Sequence, residues 1–206
     1  MSSISIIGLG NMARTIGARA VGGGNAVEVI GRDAAKAASV AQALGDATIG
    51  TFGTAPAGDL VILAVPHADA APVVARYRDA LAGKVIVDIA NAFDADATGL
   101  TTPAGTSIAQ EIAKVAPAGA HVVKAFNTVF GHMLAKGGPL DVLIAGDDAQ
   151  AKASVSAFIK SLGLRPLDTG PLEMARWLEG MGLVMMGLGR HGAGNFDFSL
   201  GVSTSG

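Results

Sequence analysis

Residues 3–13 read Ser3-Ile4-Ser5-Ile6-Ile7-Gly8-Leu9-Gly10-Asn11-Met12-Ala13, and this stretch decides the fold. Ile4, Ile6 and Ile7 are β-branched and run straight into Gly8-Leu9-Gly10, as a strand entering a tight turn does. Asn11 to Val21 then reads as a helix, with Met12, Ile16 and Val21 as its apolar positions. Strand, glycine turn and helix in this order fit the dinucleotide fingerprint, here Gly8-x-Gly10-x-x-Ala13. Gly8 allows the turn, Gly10 lets backbone approach a pyrophosphate, and Ala13 is small enough for the helix to lie close on the strand. The start of the helix adds unpaired N–H groups and a partial positive charge. A glycine turn that merely joins a strand to a helix has the same local sequence, so the rest of the chain must decide.

The second strand, Ala26 to Ile30, ends at Gly31-Arg32-Asp33. An acidic side chain at this point, about twenty residues past the glycines, would hold a ribose 2′-hydroxyl. Here the first side chain is Arg32, and Lys36 follows one turn into the next helix. Two cations suit a 2′-phosphate, which Arg can grip through two parallel bonds, so NADP is favoured over NAD. The alternative is that both are ordinary solvated charges. Asp33 reads as the cap of the helix Ala34–Leu44.

From there β and α segments alternate. A short strand near 47–49 precedes the near-continuous apolar run 59–66, which ends at Pro66-His67. A helix over 68–81 leads to the strand 84–90, which ends at Asn91. The loop 93–103 is long enough to be a lid, and Ser107 caps a helix over 108–115. Strands are expected at 121–128, 141–146 and 163–170, the last at an edge because of Pro166, with a helix over 149–162. This is the doubly wound α/β pattern of a mostly parallel Rossmann sheet. Residues 1–170 are expected to form the NADP-binding domain, and 171–206 a short helical C-terminal appendage. Leu172 to Leu188 is apolar on most sides, so core, a ligand site or a subunit interface must cover it, and a homodimer is expected. The glycine-rich end carries Asn195-Phe196-Asp197-Phe198, a last strand or a loop folded over the site.

Composition sets the limits. The chain has 206 residues, half of them apolar and only 16% charged, which suits one large domain with a sizeable core. The formal net charge is −2 without any basic cluster, which argues against nucleic acid or an anionic membrane surface. Cysteine is absent, so thiolate metal sites, disulfides and cysteine nucleophiles are excluded. The N-terminus has neither a basic segment nor a cleavage site, and the longest apolar runs, 60–66 and 181–188, are too short to span a bilayer. A cytoplasmic protein without membrane partner is expected.

His67, His121, His132 and His191 show no metal-ligand spacing, and neither a nucleophile elbow nor a phosphate-loop lysine motif occurs. His67 reads as a loop residue near the cofactor, and Lys124, inside a strand, as structurally paired. No catalytic acid–base residue is assigned. Hydride transfer between two stacked redox rings needs proximity and exclusion of water rather than a side-chain acid.

The strings Gly8-Leu9-Gly10-Asn11-Met12-Ala13, Gly31-Arg32, Ala64-Val65-Pro66, Lys124-Ala125-Phe126-Asn127-Thr128 and residues 163–171 together resemble the NADPH-dependent reductases of the deazaflavin coenzyme F-420. The combination is similar as well to the oxidoreductase domain of STEAP-type metalloreductases and to small bacterial dinucleotide-binding oxidoreductases. Archaeal members differ at the first glycine loop and lack the 124–128 string. The resemblance implies a pyrophosphate site at Gly8, Leu9, Gly10, Asn11 and Met12. It places Arg32 and Lys36 at the 2′-phosphate, and Gly31, Ala64, Val65, Pro66, His67, Ala90 and Asn91 along the cofactor. Phe126, Asn127 and Thr128 are assigned to a small-molecule redox substrate. The expected function is hydride transfer between NADP(H) and a second flat ring, deazaflavin F-420 or flavin. Reduction of a small imine or carbonyl, or a non-catalytic NADP sensor, are the alternatives.

Overall fold

The computed structural model describes residues 1–203. Its elements in chain order are β1 (Ser3–Ile7), α1 (Asn11–Gly22), β2 (Ala26–Gly31), α2 (Ala34–Leu44), β3 (Thr48–Thr51), β4 (Leu60–Leu63) and α3 (His67–Tyr77). They continue as β5 (Val85–Asp88), α4 (Ile108–Val115), β6 (His121–Lys124), α5 (Gly131–Lys136), β7 (Asp141–Gly146), α6 (Ala149–Ser161), β8 (Arg165–Asp168) and α7 (Ala175–Arg190). Among the described residues eight strands form one sheet in the order β3-β2-β1-β4-β5-β6-β7-β8. The first six in that order run parallel, β7 pairs antiparallel with β6, and β8 runs alongside β7. This is the doubly wound, mostly parallel Rossmann sheet expected from the sequence.

The central strands are buried on both faces, so alternate residues feed two cores. Ile4 and Ile6 of β1 and Leu60 and Ile62 of β4 join Ile16, Val40 and Phe158 from α1, α2 and α6. Ile7, Val61 and Leu63 face the other way and pack with Val73, Val74 and Tyr77 of α3 and Ile112 of α4. The period of two is what a helix layer on each face demands. The edges differ in kind. β3 is exposed along most of its length, and β8 carries Pro166, which has no N–H to offer a further strand, as the sequence predicts for an edge.

Helix caps follow the sequence closely. Asp33 accepts from Lys36 N at 3.0 Å and Ser107 from Gln110 N at 3.2 Å. Three expectations are corrected. The strand expected over 121–128 stops at Lys124, because Phe126 adopts φ +59° and Val129 N bonds back to Phe126 O in a turn. The helix α5 that follows it was not read from the sequence, and its six residues are too few to show a periodic pattern. His67 is the first residue of α3 rather than part of a loop. The helix expected over 68–81 is broken where Arg78 takes φ +47° and a 3-10 turn follows.

The C-terminal segment packs against the same sheet. Ala175, Leu178, Gly182 and Met185 of α7 are buried, while Trp177, Met181, Val184 and Leu188 stay exposed on its other side. The segment Asn195–Phe198 is a loop with a short 3-10 turn, not a strand. Residues 204–206 of the expected appendage lie outside the described residues. Among the described residues no helix is long and apolar enough to cross a membrane.

Candidate functional site

Strand order reverses between β1 and β4, and their carboxyl ends leave a crevice there, the place where doubly wound sheets take ligands. The cleft at this point has a volume of about 370 Å³. Gly8 forms its inner corner with φ +131°, donating from its N–H to Ile30 O at 2.9 Å. A Cβ at this position would stand 2.1 Å from the Ala64 carbonyl oxygen, so only glycine passes between β2 and β4. Gly10 is the N-cap of α1, without a side-chain cap, and a Cβ there would meet nothing within 4 Å. The amides of Asn11, Met12 and Ala13 follow in the first turn, where no intrahelical acceptor exists. Open space, unpaired N–H groups and the positive end of a helix dipole together form a cradle that fits a pyrophosphate.

Leu9, Ala64, Val65 and Pro66 wall the cleft, and Arg32 and Lys36 stand at its far end. Gly31 lets Leu9 fold over the end of β2, since a Cβ at Gly31 would lie 2.3 Å from Leu9 Cδ1. The Arg32 guanidinium lies 3.7 Å from Asp69 Oδ2 with both side chains well exposed. An exposed pair of this length is weak, so a phosphate dianion can take the guanidinium from Asp69. Arg32 also lies over the ring of Phe52 at 5.6 Å, with Arg76 over the same ring at 5.3 Å. Phe52 and Asp69 were missed from the sequence. Phe52 sits in the glycine- and proline-rich loop after β3, and its place at a strand end was the only signal available.

The other residues expected along the cofactor are not among this cleft's walls. His67 is half-buried, and its Nε2 is 3.5 Å from Thr101 Oγ1. Ala90 gives its carbonyl oxygen to the Lys124 ammonium. Asn91 belongs to a second, smaller slot of about 220 Å³, on the other side of the start of α1. Gly10 walls the first cleft and Met12 the second, so the two adjoin across a half-turn of helix.

The slot is apolar. Met12, Phe93, Phe130, Met185 and Met186 are among its walls, and among the described residues none of its walls carries a titratable side chain. Its polar atoms come from two asparagines locked together. Asn91 Nδ2 donates to Asn127 O at 2.8 Å, and Asn127 Nδ2 donates to Asn91 Oδ1 at 2.9 Å and to Leu178 O at 2.8 Å. Gly182 allows α7 this close: a Cβ there would lie 2.9 Å from Phe93 Cζ and 3.0 Å from Asn91 Oδ1. Of the three residues assigned to a substrate, Asn127 and Phe126 reach the slot. Phe126 is otherwise a core residue, wholly buried with its ring 6.3 Å from that of Phe158. Thr128 is buried and is not among the slot's walls. The loop after α7 backs the slot, with Phe196 and Phe198 set edge-on to Phe130 at 5.9 and 5.4 Å.

Behind the slot Lys124, Asp88 and Glu179 are all fully buried. Lys124 Nζ is 2.8 Å from Asp88 Oδ2 and 2.8 Å from Glu179 Oε1, which also accepts from Ile108 N. Burial pushes the Glu179 carboxyl above its ordinary value, against the pull of Lys124. Lys124 is therefore the structural pair member that its place in a strand suggests. A larger groove of about 840 Å³ lies at the opposite ends of the strands, beside Asp59, His121 and Asp148. Its turn glycines, Gly24, Gly83 and Gly119, lead into strands rather than open a helix, and its Asp148 is already engaged as the cap of α6.

Comparisons with known proteins bear on the fold and the family. Residues 3–92 match the family described as NADP oxidoreductase coenzyme F420-dependent. The chain is 32% identical to metalloreductase STEAP3 of Rattus norvegicus over 187 residues, which are 89% of this chain and 37% of that protein. It is 31% identical over 139 residues to the F420-dependent NADP reductase of Methanocaldococcus jannaschii, covering 64% of this chain and 62% of that one. The chain thus spans less than two thirds of either curated relative. Among solved structures, a putative F420-dependent NADP-reductase from Arthrobacter sp. FB24 aligns with a TM-score of 0.81 at 26% identity, over 93% of this chain and 95% of that one. The family resemblance read from the sequence is borne out.

Proposed function

We propose that this chain is an NADP(H)-dependent oxidoreductase that moves a hydride between NADP(H) and a second flat redox ring, a deazaflavin of the F-420 type or a flavin. The observation that carries this reading is the junction of two clefts at the start of α1, one built for a dinucleotide and one apolar and free of acid–base groups. When bound, NADP(H) supplies or accepts the hydride at its nicotinamide ring. The first-turn amides of α1 hold the pyrophosphate, and Arg32 with Lys36 holds the 2′-phosphate. Met12, in the first turn of α1, is a wall of the slot where the two clefts meet. Phe93, Phe130, Met185 and Met186 exclude water from the second ring and fix it face-on, and such positioning can supply roughly 7–11 kcal/mol of a barrier. The proton that accompanies the hydride is exchanged with solvent.

In this reading residues 1–170 carry the cofactor, and residues 171–206 close the substrate slot through Gly182, Met185 and Met186. The exposed stripe Trp177, Met181, Val184 and Leu188 repeats at intervals of four, three and four, the seam of a two-helix coiled coil. We take a second copy of this chain as its occupant, since such a seam is self-complementary about a two-fold axis. A chain without cysteine that works with a diffusible cofactor suits the cytoplasm.

The test is a titration with NADPH and NADH followed by absorbance assays with oxidised deazaflavin, FMN and FAD. Tight NADPH binding with rapid reduction of one of these rings is expected. NADPH binding with no reduction of any of them overturns the flat-ring reading in favour of a small imine or carbonyl.

A further inference from the structure

Arg32 is approached from two directions at the far end of the cofactor cleft. Its guanidinium lies over the Phe52 ring at 5.6 Å, and its Nη2 lies 3.7 Å from Asp69 Oδ2. These neighbours ask for different parts of the group. All five N–H bonds of a guanidinium lie in its plane, so a ring takes the face while an anion takes an edge. Phe52 therefore leaves the hydrogen-bonding edges open, whereas Asp69 stands at one of them. A 2′-phosphate has to compete with Asp69 for those edges.

Asp69 is held in place by a different element from Arg32. It sits in the first turn of α3 with its N–H bonded to Pro66 O at 2.9 Å, and together with Val73 it walls the same cleft. The cleft's other acid, Asp33, has its carboxylate engaged by Lys36 N as the cap of α2. The Asp69 carboxylate is turned on the cation instead, with its side chain 42% exposed and open to an arriving ligand.

We infer that Asp69 is a specificity-determining residue that works against Arg32, holding down the preference for NADPH over NADH. The inference rests on the reading of Arg32 as the 2′-phosphate residue and adds what limits that choice. Selectivity is a difference of two affinities, and a repulsive element beside the group that distinguishes two ligands lowers one affinity alone. A phosphate dianion at Arg32 meets Asp69 both as a rival for the guanidinium and as a like charge. A ribose 2′-hydroxyl carries no charge, and a carboxylate accepts its hydrogen bond in NAD-binding sites. Both effects favour NADH relative to NADPH.

The experiment compares wild type, Asp69→Asn and Arg32→Ala, each as the full chain titrated with NADPH and with NADH at low and at high salt while nicotinamide fluorescence is followed. Asparagine keeps the size of the side chain and removes its charge. Asp69→Asn is expected to bind NADPH roughly two- to fivefold more tightly than wild type, the size of one exposed ion pair, with NADH unchanged or weaker. The gain toward NADPH should shrink at high salt, because exposed charges are screened. A change in the shape of α3 would instead be insensitive to salt and would fall on both cofactors. An unchanged ratio of NADPH to NADH affinity in Asp69→Asn overturns the inference, and it leaves the proposed function standing where Arg32→Ala still loses NADPH selectively. Tighter binding of both cofactors by Asp69→Asn overturns it too, since the 2′-position would then not be what Asp69 senses. If Arg32→Ala affects the two cofactors alike, the 2′-phosphate reading itself falls and the inference falls with it.

Discussion

Lys124 Nζ stands 2.8 Å from Glu179 Oε1, with both side chains fully buried. The pair ties α7 to the end of β6, and Asp88 of β5 completes it at 2.8 Å. One ammonium thus faces two carboxylates without water. Removing Lys124 would strand both, and breaking a buried pair from one side typically costs about 3–5 kcal/mol. Lys124→Met is therefore expected to lower the unfolding free energy by this order in urea titration. A loss under about 1 kcal/mol would mean that the carboxylates are already neutral.

Glu179 makes the same cluster pH-sensitive. Its folded carboxyl titrates above the ordinary carboxylate value because burial disfavours the charge, so the folded state binds this proton more tightly than the unfolded state. Its contribution to stability is present below the ordinary value and is lost as pH rises through the raised one. Glu179→Gln should remove that dependence. The wild type, compared with the variant, is expected to lose ground as pH rises above the ordinary glutamate value. Parallel stability curves for the two proteins would rule out the raised carboxyl.

Arg32 offers the most direct test of cofactor choice. An Arg–phosphate contact is a charge-assisted bond worth about 1.5–3 kcal/mol, or roughly ten- to a hundredfold in affinity. Arg32→Ala should weaken NADPH by this factor and leave NADH nearly unchanged in a fluorescence titration. Equal losses for both would place Arg32 outside the 2′-phosphate site.

How much of this could be read from the chain depended on whether the signal was local. The fingerprint, the strand end at Gly31 and the caps Asp33 and Ser107 each rest on a few consecutive residues and stand where expected, whereas β4 stops at Leu63, short of the expected end at Pro66. Phe126 did not: a Val-Val-Lys-Ala-Phe run reads as strand, whereas Phe126 takes φ +59° with its ring buried against Phe158 and its carbonyl held in a turn by Val129 N. The slot was invisible for a related reason. Met12, Phe93, Phe130 and Met185 come from four separate segments, and Gly182 gives no sign in sequence that Asn91 lies against it. Glu179, one acid in an apolar helix, was the available hint that Lys124 had a partner across the fold.

The stripe on α7 predicts oligomeric state. Val184 is central in it and 56% exposed in the single chain. Val184→Lys puts a charge into the seam without touching the buried side of the helix. Light scattering should show the wild type as a dimer and the variant as a monomer, with nearly the same circular dichroism. A monomeric wild type would remove the dimer from the proposal.

Gly182 is a wall of the slot and not of the cofactor cleft. Gly182→Ala gains about 1 kcal/mol of helix propensity, but the new Cβ arrives 2.9 Å from Phe93 Cζ and 3.0 Å from Asn91 Oδ1. The two effects oppose each other, so thermal stability should change little. The phenylalanine is the softer neighbour, because Asn91 is held by two bonds to Asn127. Phe93 is therefore expected to shift into the slot and narrow it. The consequence falls on the second substrate alone: KM for the acceptor should rise by roughly tenfold, in line with the sensitivity of such reactions to small displacements. NADPH affinity should stay at the wild-type value, because no wall of the cofactor cleft touches Gly182. A fall in NADPH affinity with an unchanged acceptor KM would reverse the assignment of the two clefts.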